Sequence, residues 1–171
     1  MTLPRYLPDV PFPPYTFVPG VGPHPRSDPR GHSHGESPES AAPVDADDWR
    51  SSRAYLRGID LFNHGYYWEA HEVWEMLWLA HGRKGAIADF LKALIQLAAA
   101  GVKAKEGIAE GVRRHALRAA ELLHQESEGR LLGMDIARLL RFAGEEAPLG
   151  KPMAERNAVP EQVWSFTLEL E

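Results

Sequence analysis

The sequence predicts an all-α protein: a compact antiparallel bundle of four to five helices, with a Pro-rich extended N-terminal arm and an extended C-terminal tail. Three observations carry this. Apolar residues recur at helical spacing in successive segments between residues 47 and 144, glycine turns separate those segments, and eleven of the fourteen prolines lie in the first 43 residues. A chain of 171 residues, 44% hydrophobic and 25% charged, has the size and composition of one ordinary domain with a core. The expected organisation is an arm over 1–46, a helical domain over 47–144 and a C-terminal extension over 145–171.

The prolines exclude regular helix from the arm and favour extended backbone. Tyr6, Leu7, Phe12, Tyr15, Phe17 and Val18 give it more apolar surface than a free linker carries, so its first part is expected to pack against the rest of the chain. At Asp47-Asp48-Trp49, acidic capping residues precede Leu56, Ile59 and Phe62 at helical spacing, and Asn63-His64-Gly65 closes that helix. A second helix is expected over about Tyr67 to Ala80. A third, over about Ala86 to Ala104, is amphipathic, with Phe90, Leu91, Leu94 and Leu97 set against Asp89, Lys92, Gln96 and Lys103. Glu106-Gly107 turns the chain into a fourth, over about Ile108 to Gln125. Gly133-Met134-Asp135 reads as a loop in which Asp135 caps a short helix ended by Gly144. From Trp164 to Leu170 the alternating character suggests a strand or an extended arm.

Composition narrows the function classes. There are no cysteines, which excludes disulfides, thiolate zinc sites and a cysteine nucleophile. A net charge of −5 supplies no basic stripe, so nucleic acid is not an expected partner. No stretch approaches the ~18–20 apolar residues that span a bilayer, and no basic patch followed by an apolar run opens the chain, so no membrane partner and a cytoplasmic location are expected. Neither a phosphate-binding glycine loop nor a Gly-x-Ser-x-Gly elbow is present.

Chemistry concentrates in Glu69-Ala70-His71-Glu72-Val73-Trp74-Glu75-Met76-Leu77-Trp78, where three carboxylates and an imidazole interleave with large apolar residues. Such charges must reach the rim of a core or be buried and paired. With Glu69 at zero on a helical wheel, His71 falls at about 200°, Glu75 at about 240° and Glu72 at about 300°. His71 and Glu75 thus share one face, and Glu69 and Glu72 form a second stacked pair. One reading is a divalent-metal site on His71, Glu72 and Glu75, completed by His64, His81, His115, His124 or the arm's His24, His32 and His34. The spacing departs from the His-Glu-x-x-His zinc helix, since Glu75 stands where the second histidine belongs. The other reading is structural: Glu72 and Glu75 accept hydrogen bonds from neighbouring elements and His71 is a satisfied core residue. A pocket for a small polar ligand without metal is a third.

The arm's His24-Pro25-Arg26 to His32-Ser33-His34 is the second candidate. On an extended chain His32 and His34 point to the same side and could fold over the helices to add metal ligands, or they belong to a solvated loop. Gln96 either hydrogen-bonds the acidic cluster or lies on a wet edge with Lys92 and Lys103.

Leu61-Phe62-Asn63-His64-Gly65-Tyr66-Tyr67-Trp68-Glu69-Ala70-His71-Glu72-Val73-Trp74-Glu75, followed by Leu91 to Ala100, resembles the domain-of-unknown-function family numbered 309. The resemblance covers about residues 52–125. It implies a small all-α domain without an established activity, and its polar signature positions correspond to Asn63, Glu69, His71, Glu72, Glu75 and Gln96. Lys92-Ala93 departs from the family pattern, where a glycine commonly precedes the Leu-Ile-Gln motif.

These residues define a pocket of Asn63, Glu69, His71, Glu72, Glu75 and Gln96, with a divalent metal ion as its cofactor or a small polar molecule as its ligand. An enzyme built on it would suit metal-assisted hydrolysis, the cation polarising a carbonyl or phosphoryl oxygen and a free glutamate acting as base. The alternative is a non-enzymatic scaffold or interaction protein, with the same residues locking helix packing and exposed Trp and Tyr meeting a partner or a second copy in a homo-oligomer.

Overall fold

The computed structural model describes residues 3–37, 40–125 and 129–171. Helix α1 is Arg53–Asn63, and Ser52 caps it, its hydroxyl accepting the Tyr55 amide at 3.3 Å. The acidic pair at 47–48 does not serve as the cap. Trp49 is buried edge-on against Tyr55 in a separate 3₁₀ turn, Trp49–Ser51, so the α-helix starts one turn later, at the next residue able to cap.

Helix α2 is Tyr67–Ala80, α3 Ala86–Lys105, α4 Ala109–Leu123 and the short α5 Ile136–Arg141. α1 packs on α2, α2 on α3 and α3 on α4, and the short connections between them return each helix antiparallel to the last. The fold is all-α. Its only sheet among the described residues is a two-residue hairpin, β1 (Arg130–Leu131) and β2 (Met134–Asp135), at the place expected to be a loop. Asp135 then caps α5, accepting the Arg138 amide at 2.9 Å. A π-helical turn over Phe142–Glu146 and a 3₁₀ turn over Ala147–Leu149 carry the chain past Gly144.

The core is centred on α3, where Phe90, Leu91, Leu94, Leu97 and Ala98 have no solvent access. Two glycines set the α1–α2 geometry. Gly65 holds a left-handed φ of 82° in the connection, and a side chain there would strike the Glu161 backbone. Gly58 lets the Trp74 indole lie directly on α1, since a Cβ at 58 would stand 2.1 Å from Trp74 Nε1.

Both ends of the chain lie on this bundle in irregular, extended backbone. Leu7, Val18 and Val44 of the arm are buried, and Phe12 stacks on Tyr66 at 4.9 Å. In the C-terminal tail Leu168 is buried, and Phe166 stacks on Phe142 at 3.8 Å. No helix among the described residues is long and apolar enough to cross a membrane.

Candidate functional site

The acidic segment lies on α2, whose buried seam is Tyr67, Ala70, Trp74 and Leu77. This three-and-four spacing turns one stripe into the core and leaves His71, Glu72 and Glu75 half-buried on the adjacent shoulder. Those three residues are brought together: one ligand atom from each lies within 4.8 Å of the others. His71 Nδ1 stands 3.5 Å from a Glu72 carboxylate oxygen, is shielded from solvent and makes no hydrogen bond among the described residues. The other Glu72 oxygen faces Arg26 Nε of the arm at 3.9 Å.

Glu69, one turn earlier, has a different environment. Its carboxylate is buried and accepts from the Thr16 hydroxyl at 2.7 Å and from the Phe17 amide at 2.9 Å. The His32 imidazole lies against it at 3.0 Å, with its own side chain only 5% exposed. His32 is further held by Ser33 Oγ at 2.8 Å and by the Tyr15 ring. The arm therefore folds over the helices, and it brings His32 to Glu69, away from the His71 cluster. His34 faces the Arg26 carbonyl at 3.0 Å on the exposed side of the same loop.

Asn63 is turned toward the other end of the chain. Its amide pairs twice with Leu168, accepting from the backbone N–H and donating to the carbonyl, both at 2.8 Å. Gln96 on α3 meets neither acid; its oxygen lies 2.7 Å from His115 Nδ1 on α4. Burial holds the His115 imidazole below the ordinary histidine value, with Arg114, Lys103 and His71 acting in the same direction. The neutral ring that results donates Nδ1–H to Gln96. His81, at the end of α2, is likewise pushed down by burial, and its Nε2 accepts the Val44 amide at 2.9 Å.

Two further polar residues tie the arms down without having stood out in the sequence. Asp60 on α1 has no solvent access and accepts the Tyr6 and Leu7 amides at 2.8 and 2.9 Å. Lys105, buried at the end of α3, donates to the Val159 carbonyl at 2.8 Å. Asp60 carries a fainter form of the α2 pattern, one carboxylate instead of three among apolar residues, in Gly58-Ile59-Asp60-Leu61-Phe62.

Every one of these helix-borne groups from Asp60 to His115 falls inside one matched segment. The family model of DUF309, described as a domain of unknown function, matches residues 55–115. Residues 55–115 are thus similar to the DUF309 family. This is the family that the motif at 61–75 resembles, and the match runs from α1 into α4. The arm residues that occupy Glu69 and the tail residue that occupies Asn63 lie outside it, so the DUF309 segment supplies the receiving groups and the flanking chain supplies what they hold. No curated protein matches the chain.

Proposed function

We propose that this protein binds a divalent transition-metal cation on the shoulder of α2, with His71, Glu72 and Glu75 as its protein ligands. The observation that carries the reading is the convergence of one imidazole nitrogen and two carboxylate oxygens within 4.8 Å, together with a solvent-shielded His71 Nδ1 that has no hydrogen-bond partner among the described residues. An unpartnered ring nitrogen beside two acids is costly as a purely structural arrangement and is relieved by a cation.

The donor set suits zinc, manganese or ferrous iron, which take nitrogen and oxygen ligands at about 2.0–2.2 Å. Three protein ligands on a half-buried shoulder leave coordination positions to water, the arrangement in which a bound cation activates water or polarises an incoming oxygen. Asn63 and Glu69 are structural in this reading, because their carboxylate and amide groups bind the arm and the tail instead of facing the cluster.

Calorimetric titration of the purified, chelator-stripped protein with Zn²⁺ and Mn²⁺ tests the reading. One cation per chain is expected, with binding abolished in a His71→Ala/Glu75→Ala variant whose far-ultraviolet circular dichroism is unchanged. Absence of binding to the wild-type protein, or equal binding to the folded double variant, overturns it.

A further inference from the structure

Residues 24–34 of the arm close into a compact loop on the face of α2. The Ser33 amide donates to the Pro25 carbonyl at 3.0 Å, the Gly31 amide to the Asp28 carbonyl at 2.8 Å and the Arg26 amide to His24 Nδ1 at 3.2 Å. His24 lies edge-on to Trp68 at 5.5 Å. This loop presents two groups to α2 one helical turn apart, the His32 imidazole to Glu69 and the Arg26 guanidinium to Glu72.

The two contacts differ in kind. The first is buried and hydrogen-bonded. The second spans 3.9 Å without a hydrogen bond, between side chains 37% and 30% exposed. Glu72 is divided between its neighbours, one oxygen turned to His71 Nδ1 and the other to Arg26.

We infer that Arg26 is a built-in competitor for the cation site: the guanidinium and a divalent cation exclude one another at Glu72, so the arm sets how tightly the cation is held. The inference rests on the cation site proposed above. Two positive charges drawn to one carboxylate repel each other at short range in a partly desolvated position, and the exposed guanidinium is the one free to swing into solvent. Glu69 and His32 keep the loop docked while Arg26 leaves, so the exchange is local and needs no release of the arm.

The test is titration with Mn²⁺ at an ionic strength of about 0.05 M, where exposed charges are least screened, of the wild-type chain, Arg26→Ala, Arg26→Gln and Arg30→Ala. Arg30 belongs to the same loop but is paired with Asp28, at 3.0 Å, so it controls for a general loss of positive charge. Both Arg26 variants are expected to bind Mn²⁺ about two- to fivefold more tightly than wild type, the range set by the worth of one exposed ion pair. The Arg30 variant is expected to match wild type. Equal or weaker binding by the Arg26 variants beside a binding wild type overturns the inference alone, as does an equal gain in Arg30→Ala. No binding by any of the four chains overturns the cation site itself.

Discussion

The Glu69 carboxylate accepts the Thr16 hydroxyl at 2.7 Å, and neither residue has more than 5% of its surface in solvent. A proline-rich arm is thereby made part of the core of a helical domain. Glu69→Ala leaves the Thr16 hydroxyl, the Phe17 amide and the His32 ring without their acceptor, so a loss of about 2–4 kcal/mol is expected in urea unfolding, with faster proteolytic cleavage within the arm. Glu75→Ala, on the shoulder of the same helix, is expected to cost under about 1 kcal/mol. A Glu75→Ala loss as large as that of Glu69→Ala would assign the shoulder residues to the scaffold.

Asn63 is the matching clamp for the tail. Asn63→Ala removes both partners of the Leu168 peptide in a buried position and is expected to cost about 2 kcal/mol. Hydrogen exchange at the Leu168 amide reports it directly, with protection falling at that amide while amides in α3 keep theirs relative to global stability.

At Gly58 a single methyl group has nowhere to go. Gly58→Ala forces the Trp74 indole off α1, and because Trp74 is fully buried the helices must separate or the ring must leave its rotamer. A loss of about 1–3 kcal/mol and a lower melting temperature are expected. Gly144→Ala, whose added Cβ meets only the Ala120 methyl at 3.7 Å, provides the contrast and should change stability little.

Stability should decline as pH falls from 7.5 to 5.5. His81 and His115 are both pushed below the ordinary value of 6.5 by burial. The unfolded chain therefore takes up protons before the folded one, and stability present above 6.5 is lost as pH drops through the folded values. Protonation of His81 at Nε2 also abolishes its acceptance of the Val44 amide. Urea midpoints at the two pH values measure the loss, and it should shrink in a His81→Gln variant, which keeps an acceptor but does not titrate. An unchanged pH dependence in that variant would remove His81 from the account.

The helix over 86–104 was legible from its apolar stripe, whereas 67–80, apolar nearly all round, was legible from the glycine turns that bound it. The start of α1 was less so: Asp48 and Ser52 are both competent caps, and burial of Trp49 chooses between them. The hairpin at 130–135 is too short to show alternation. On the wheel, Glu69 and Glu72 form a stacked pair, yet the arm takes Glu69 into the core and leaves Glu72 to His71. Asp60 shows the same limit, since nothing local tells that its acceptors face Tyr6 and Leu7.

The sequence by itself determined an all-α bundle, the bounds of its central helices and the stretch of α2 where charge meets core, because helical spacing writes burial into a repeat of three and four residues. Tertiary structure alone decided what each polar side chain on those helices meets. Asp60, Asn63 and Glu69 are satisfied by extended segments far away in the chain, and backbone groups of irregular segments carry no periodic signal that could name their partners.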